Sequence, residues 1–225
     1  MNKATRAAVS TYGALTGIMG IEHGLGAVLQ GNTAPAAMVF SSWPGSELFE
    51  ILNGEPAMST IPNFLVTGIL AILLSLIFLW VVLRVPGRHT GLYLALLSAA
   101  MLVAGAGFGP PLIGFIVAAT ASRLHAPFPW LRAHLPAGVG RVLSVAWPWL
   151  YAGSLIAWLG LFPGTILLDH FVGIADPELV VFGLIGSAFG LMFLTIGAGF
   201  VRDAQQRGKA PAPAANWLPV PSPRR

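Results

Sequence analysis

The chain alternates between long apolar stretches and short polar ones. The apolar stretches cover approximately residues 7–30, 61–83, 90–108, 110–122, 142–162 and 178–201. A helix of about 20 apolar residues is long enough to cross the hydrocarbon core of a bilayer. The pattern therefore predicts an all-α protein, a polytopic integral membrane helix bundle with six membrane segments.

Residues 90–122 are the part of the chain that this pattern divides least clearly. One straight helix over this range would be about 50 Å long, against a hydrocarbon core of about 30 Å. The sequence GFGPP (107–111) interrupts it, and Pro110 and Pro111 remove two backbone donors. We expect the chain to turn back or to kink sharply there. The segment 110–122 would then be about 20 Å long, so it is short or re-entrant.

The placement of charge favours reversal at this point. If the chain turns back and both termini are cytoplasmic, all 12 Lys and Arg residues lie on the inner side. The outer connections then carry acidic residues and neither Lys nor Arg. A single span over 90–122 would instead place most of the basic residues outside. Because short cytoplasmic loops carry an excess of Lys and Arg, six segments with cytoplasmic N- and C-termini are predicted.

Composition restricts the class of protein further. Of 225 residues, 56% are hydrophobic and 9% are charged, whereas a soluble domain carries about 25% charged residues. The lipid bilayer is therefore the expected partner, and a bacterial inner (cytoplasmic) membrane is the expected location. The basic residues flank the apolar stretches, so no nucleic-acid partner is predicted. The absence of Cys excludes disulfides and thiol chemistry.

Residues 1–207 are predicted to form a single transmembrane domain, with 7–30 retained as its first span. In the outer connection, residues 44–53 place apolar and acidic side chains on different faces of a helix, which predicts a short amphipathic helix on the membrane or over the bundle. Residues 208–225 contain five prolines and are predicted to be an extended cytoplasmic tail.

Two adjacent ionisable residues, Glu22 and His23, interrupt the first apolar stretch. An ionised side chain in the middle of a membrane helix costs about 2.5–3.5 kcal/mol on an insertion scale, and such residues are functional by default. One interpretation is therefore a ligand or ion site, linked to proton or cation movement. The other is a structural hydrogen bond between membrane segments.

A second acid–imidazole pair, Asp169 and His170, lies in the predicted outer connection after the fifth segment. The predicted topology places both pairs on the same side of the membrane. His23 and His170 are then candidate metal ligands, together with the two carboxylates. Neighbouring residues of a helix point about 100° apart, so a dipeptide rarely supplies two ligands. The alternative is that His170 is an exposed loop residue.

The interrupted sequence near residue 107 is another candidate ligand site. In transporters, short segments broken by Gly and Pro indicate the binding site. This hypothesis assigns a binding role to Gly107, Gly109, Pro110 and Pro111. The alternative is a tight turn at the outer face that binds no ligand.

Glycines form stripes on two of the predicted helices. The stripe of the first segment contains Gly13, Gly17, Gly20 and Gly24, and that of the last segment contains Gly183, Gly186 and Gly190. Small residues at this spacing allow two membrane helices to approach closely. We therefore predict that the first and last segments pack as an antiparallel pair. The same faces could alternatively bind a membrane protein partner or a second copy of the chain.

The features together suit three classes of function. The first is a carrier for a solute or ion, or a membrane-embedded substrate-binding component, with a polar site at Glu22 and His23 near the outer side. The alternative is a non-catalytic accessory or scaffold subunit of a membrane complex. The third is a metal-binding membrane enzyme that uses both acid–imidazole pairs. The sequence contains no phosphate-binding loop, dinucleotide fingerprint or H-E-x-x-H motif, and it indicates no cofactor.

Overall fold

The structure is a computed structural model. It describes residues 1–34, 39–40, 55–56, 63–84 and 87–208. The amphipathic helix predicted at 44–53 and the tail predicted beyond 208 both lie outside the described residues.

The described residues are helical, apart from one short strand pair. The elements are α1 (Lys3–Leu29), β1 (Val39–Phe40), β2 (Glu55–Pro56), α2 (Phe64–Arg84), α3 (Thr90–Val103), α4 (Gly109–Ala121), α5 (Pro129–His134), α6 (Ala137–Leu159), a π-helical turn (Gly160–Gly164), α7 (Thr165–Val172) and α8 (Pro177–Gly208). The two strands pair antiparallel, with Val39 opposite Pro56. Three helices, α2, α6 and α8, are long and apolar enough to cross a membrane, as is typical of an integral membrane protein.

The chain reverses direction between α3 and α4. Gly105 and Gly107 have φ angles of +81° and +73°, a backbone conformation that glycine adopts without steric cost. At the other end of the pair, the start of α3 lies against the end of α4, because a Cβ added to Gly91 would be 2.8 Å from the carbonyl oxygen of Ala118. α3 and α4 are therefore antiparallel neighbours, and residues 90–122 do not form one straight helix.

The fifth apolar segment continues further than the sequence pattern predicts. α6 passes through the π-helical turn directly into α7, so the helical path ends at Val172 rather than near residue 162. Pro163 lies within the turn and has no N–H to donate, and a local change to π-helix accommodates this gap in the hydrogen-bond ladder. Asp169 and His170 consequently lie on a helix rather than in the predicted loop.

The helices form two packed groups. In the first group α1 packs against α2 and α4, and α3 packs against the same two helices, so α1 to α4 form a closed ring. In the second group α6 packs along α8, and α8 also packs against α1. The largest fully buried side chains of the core are Tyr12, Phe78, Leu94, Met101, Ile113, Leu124 and Met192.

The glycine stripe of α1 faces α2, not the last helix. Added Cβ atoms at Gly13, Gly17, Gly20 and Gly24 would overlap Val82, Leu79, Ser75 and Ile72 of α2, respectively. At Gly24 the added Cβ would also lie 2.8 Å from the carbonyl oxygen of Gly68. The backbones of α1 and α2 therefore approach closely, and branched side chains of α2 fill the groove that the glycines leave.

This arrangement corrects the predicted pairing of the first and last segments. Cβ atoms added to Gly183, Gly186 and Gly190 of α8 would meet nothing within 4 Å. α8 does pack against α1, but through a different face and mainly near the N-terminus of α1. The prediction was wrong because it paired two similar stripes, whereas the structure pairs a stripe of small residues with a face of large ones.

The N-terminus of α1 is capped by a carboxylate from α8. Asp203 is 2% exposed and accepts hydrogen bonds from the backbone N–H of Ala4 (3.0 Å), the backbone N–H of Thr5 (2.8 Å) and the Thr5 hydroxyl (2.7 Å). The first N–H groups of a helix have no partner within the helix, and a negative charge there also interacts favourably with the helix dipole. Asp203 thus supplies the cap that the side chain of Asn2 does not make.

Asn2 instead connects the start of α1 to two other parts of the chain. Its backbone N–H donates to the carbonyl oxygen of Leu124 (2.8 Å), and its Nδ2 donates to those of Arg123 (2.9 Å) and Ala126 (3.0 Å). Its Oδ1 accepts a hydrogen bond from Nε of Arg207 (2.8 Å). We call Asn2, Thr5, Asp203 and Arg207 the terminal network, because they join the start of α1, the turn after α4 and the end of α8.

The glycine contacts predict a difference between two leucine substitutions. Gly17→Leu forces a side chain into Leu79 of α2, and overpacking of this kind costs about 1–3 kcal/mol. Gly186→Leu places the same side chain in open space and should leave the stability unchanged. Thermal unfolding in detergent, followed by tryptophan fluorescence, measures both. Equal melting temperatures for the two variants would contradict the described packing of α1 on α2.

The terminal network predicts a large effect of a nearly isosteric change. Asp203→Asn replaces an acceptor oxygen with an amide donor that faces N–H groups, and the loss of hydrogen bonds to a charged group costs about 1.5–3 kcal/mol. The control is Asp176→Asn, since the exposed Asp176 caps α8 through the N–H of Leu179 (3.0 Å), and Asn caps a helix as well as Asp does. We expect a lower melting temperature for Asp203→Asn only.

Candidate functional site

Glu22 and His23 lie close together on α1. Nδ1 of His23 is 2.9 Å from Oε2 of Glu22 and 2.9 Å from the carbonyl oxygen of Met19, one turn earlier. A carbonyl oxygen can only accept a hydrogen bond, so Nδ1 carries a proton and donates it. The carboxylate and the imidazole therefore lie within hydrogen-bonding distance of each other.

The ring of His23 also lies against the reversal between α3 and α4. A Cβ added to Gly107 would be 2.6 Å from Nε2 of His23, which is closer than van der Waals contact. Position 107 therefore requires glycine for two reasons. Its φ angle is +73°, and the imidazole beside it leaves no room for a Cβ atom. Two features that the sequence indicates separately, the acid–imidazole pair and the interrupted segment, meet at this contact.

The other predicted binding residues of the interrupted segment form the first turn of α4. Pro110 and Pro111 are buried in its first turn, where the missing N–H donors have no helical partner to lose. A Cβ added to Gly109 would meet nothing within 4 Å. The binding role predicted for Gly109, Pro110 and Pro111 thus has no contact in support of it, while Gly107 lies beside His23.

The site lies at the opposite end of α1 from the terminal network. Asn2 bonds to Leu124 at the end of the α3–α4 pair, and His23 contacts Gly107 at its reversal. These two points are about 21 residues apart on α1, or about 31 Å of helix, which is close to the hydrocarbon thickness of about 30 Å. α3 and α4 have 14 and 13 residues, or about 21 and 20 Å of helix, so each is shorter than this stretch of α1.

The site opens on one side of α1. The side chains of His23 and Glu22 are 32% and 43% exposed, respectively. Ile18, Leu25 and Leu29, above and below Glu22, are 58%, 50% and 85% exposed. Within the part of the chain that the structure describes, this face is thus uncovered in the C-terminal half of α1, and Glu22 is the ionisable group on it.

The N-terminal half of α1 is covered by the second helix group through hydroxyl contacts. The Tyr12 hydroxyl, which is buried, donates to Oγ of Ser154 at 2.9 Å, and the hydroxyls of Thr11 and Tyr151 are hydrogen-bonded to each other. Buried tyrosine hydroxyls require such partners. Isolated hydroxyls in apolar stretches follow no motif, so the sequence pattern does not mark these four residues as a contact.

Asp169 and His170 occupy a separate place. Both are exposed on α7, and the His170 ring packs edge-on against Phe171 with ring centres 4.8 Å apart. Among the described residues, no three His, Asp or Glu side chains lie close enough together to hold a metal ion. The structure therefore does not bring His23 and His170 into one metal site.

The cavities that the structure describes lie elsewhere. Two of them are found between the start of α6 and the end of α8, near Arg202. Neither Glu22 nor His23 lines them. Access to the Glu22–His23 pair is therefore across the open face of α1 rather than through these two cavities.

The contact between His23 and Gly107 predicts the outcome of a double-mutant cycle. Gly107→Ala introduces both a left-handed alanine, which costs about 1–2 kcal/mol, and a methyl group that displaces the imidazole. In a His23→Ala background the second effect is absent, so the same substitution should lower the melting temperature less. Gly109→Ala, whose added methyl group meets open space, is the control and should be neutral. An equal effect of Gly107→Ala in both backgrounds would show that the contact is not made.

Comparison with known proteins places this chain in no family. No protein-family model, no curated protein and no solved structure matches it. A fold alone would in any case not establish an activity, because function depends on the chemistry of the site. The function is therefore argued from the contacts of Glu22, His23 and Gly107.

Proposed function

We propose that this chain is a six-segment protein of the bacterial inner membrane that handles a proton or small cation, alone or coupled to a solute, at Glu22 and His23. The observation that carries the proposal is the meeting of His23 with Gly107, while the Glu22 carboxylate lies 2.9 Å from Nδ1 of the same ring. A carboxylate beside an imidazole can accept, donate and hold a proton. Interrupted membrane segments are also the usual place of ion and substrate sites in transporters.

The proposed topology is supported by the position of the basic residues. The terminal network brings the starts and ends of several helices together, and Arg123 and Arg207 belong to this end. Lys3 and Arg6 lie in the first turns of α1 at the same end. An end that is rich in Lys and Arg is the cytoplasmic end of a membrane protein, so Glu22 and His23 face the outer side.

The number of segments is supported by the heights of the helices. α2, α6 and α8 are long enough to cross, and α1 has 27 residues, or about 40 Å. The turns at the two ends of the α3–α4 pair contact α1 at Asn2 and at His23, which are about 31 Å apart along α1. In this proposal α3 and α4 are the third and fourth segments, and the site lies at the outer edge of the hydrocarbon.

A cluster of four hydroxyl groups lies between the site and the terminal network. Tyr12 and Ser154 are buried and hydrogen-bonded, next to the bonded hydroxyls of Thr11 and Tyr151. Tyr12 is about 11 residues, or about 16 Å of helix, from His23. Hydroxyls both donate and accept hydrogen bonds, so in this proposal the cluster is a candidate relay for a proton that crosses the protein.

A scaffold function is the second candidate, and the outward face of α8 favours it. Gly183, Gly186 and Gly190 lie on this face with nothing within 4 Å of an added Cβ, and the neighbouring Phe182 and Phe193 are exposed. Such a face suits close packing against a helix of another membrane protein or of a second copy. The metal-binding enzyme considered above has no comparable contact in its favour.

The test of the proposed function is proton movement in liposomes that contain the purified protein and an internal pH-sensitive dye. A potassium diffusion potential set with valinomycin drives protons inward. The wild-type protein should acidify the interior faster than empty liposomes do. Glu22→Gln keeps the shape of the side chain but cannot ionise, so it should slow this acidification about tenfold or more, as the loss of an acid–base group does.

Glu178→Gln is the matched control, because Glu178 is an exposed carboxylate at the same end of the bundle and should have no effect on the rate. Wild-type liposomes no faster than empty ones, or an unchanged rate in Glu22→Gln, would overturn the proposal. A normal rate in Glu22→Gln together with loss of a co-purifying membrane protein in Gly186→Leu would favour the scaffold function instead.

A further inference from the structure

Two cavities adjoin each other at the end of the molecule that carries the terminal network. The first is lined by Ser144, Val145, Arg202, Gln205 and Gln206. The second lies between α5, the start of α6 and the end of α8, and Gln205 lines both. The two cavities therefore adjoin each other at Gln205, and we call the pair the α6–α8 recess.

The charged wall of this recess is held in a fixed position. The guanidinium of Arg202 lies over the ring of Trp147, 5.0 Å from its centre, and Nη1 donates to the carbonyl oxygen of Ser144 at 3.1 Å. A guanidinium has five N–H donors, so most of them remain for a ligand. The Gln205 amide is placed at the junction by Gly140, where a Cβ would overlap Nε2.

The lining of the recess is basic and lacks acidic groups. Arg202 lines the first cavity and Arg132 the second, and no carboxylate lines either of them. Asp203 is the nearest acid along α8, but its two oxygens accept bonds from α1. The recess thus carries positive charge that the lining residues leave unneutralised.

Apolar residues also line the recess, beside the polar Ser144 and Gln206 of the first cavity. Leu131, Leu135 and Val201 line the second cavity, and Val145 lines the first. A ligand that fills the whole recess therefore has an anionic group and a hydrocarbon part. Arginine binds phosphate oxygens in a bidentate manner, so a phosphate is the anion that fits the donors best.

Aromatic residues place the recess at the depth of lipid headgroups. Trp130 of α5 is 67% exposed and stacks on His134, with ring centres 5.0 Å apart. Exposed tryptophans and Lys or Arg residues concentrate at the membrane–water interface on the cytoplasmic side. Basic recesses between membrane helices at this depth are where anionic headgroups bind.

We propose that the α6–α8 recess binds one anionic phospholipid, with its phosphate on Arg202, Gln205 and Arg132 and its first acyl carbons against the leucines of α5 and the adjoining turn. The lipid would occupy the recess next to the stacked Arg202 and Trp147 side chains. This site is independent of Glu22 and His23, which lie at the other end of α1.

The experiment is native mass spectrometry of the delipidated protein in detergent, titrated with phosphatidylglycerol and, separately, with phosphatidylcholine. The wild-type protein should bind one phosphatidylglycerol more tightly than phosphatidylcholine. Arg202→Gln should weaken binding of phosphatidylglycerol about tenfold, because the hydrogen bonds between a charged donor and the phosphate are lost. Its effect on phosphatidylcholine should be smaller, because the choline cation of that lipid already neutralises the charge of the phosphate. Arg88→Gln, an exposed arginine outside the recess, is the control and should bind as the wild type does.

Arg202→Gln also removes the contact between Arg202 and Trp147, and two further variants control for this loss. Arg132→Gln leaves that stack intact and should also weaken binding of phosphatidylglycerol. Arg202→Lys keeps the charge but loses the planar fork, so its affinity should lie between those of the wild type and Arg202→Gln. The proposal is overturned if Arg202→Gln and Arg132→Gln bind phosphatidylglycerol as the wild type does, or if the wild type does not prefer it over phosphatidylcholine.

Inorganic phosphate separates a lipid from a free anion. If millimolar phosphate displaces the bound phosphatidylglycerol completely, the recess is a site for soluble phosphate and the lipid assignment is wrong. Glu22→Gln should retain normal binding of phosphatidylglycerol. A negative result in the lipid titration therefore does not contradict the proposed proton function. A negative result in the proton experiment likewise does not contradict lipid binding in the recess.

Discussion

The close approach of α1 to α2 is the contact on which the rest of the structure depends. The glycines of α1 lie on the face that packs against α2, and Leu79 and Val82 of α2 fill the groove that they leave. The other faces of α1 contact the remaining helices. Gly114 of α4 packs near Thr16, Tyr12 bonds to α6, and the first turn of α1 meets Asp203 of α8. In a bilayer, where lipid solvates apolar side chains as well as protein does, such close packing and hydrogen bonding hold helices together. Among the described residues, one face of the C-terminal half of α1 is left uncovered, and this face carries Glu22.

Sequence patterns predicted the elements that depend on local chemistry. The apolar stretches locate the helices, and the paired prolines locate the reversal after α3. These features follow from hydropathy and from the missing N–H of proline, which act over a few residues. The helix through Pro163 was missed, because a π-helical turn accommodates a proline that normally ends a helix.

The contacts between distant residues could not be predicted in the same way. Which helix covers a glycine stripe depends on the shape of the opposing side chains, and two similar stripes suggested the wrong pair. Asp203 lies next to Arg202 and resembles an interfacial acid, and its role as a cap appears only when α1 is placed beside it. Glu22, His23 and Gly107 were each singled out for their chemistry, but their meeting depends on where the reversal lies relative to α1.

The cap on α1 has a consequence for how the chain is made. A ribosome delivers α1 well before α8, so the N–H groups that donate to Asp203 have no carboxylate acceptor until residue 203 has been made. A nascent chain that has not yet reached Asp203 therefore has an α1 whose first N–H groups lack their cap. The first helix thus reaches its final stability only after α8 has been synthesised and has packed beside it.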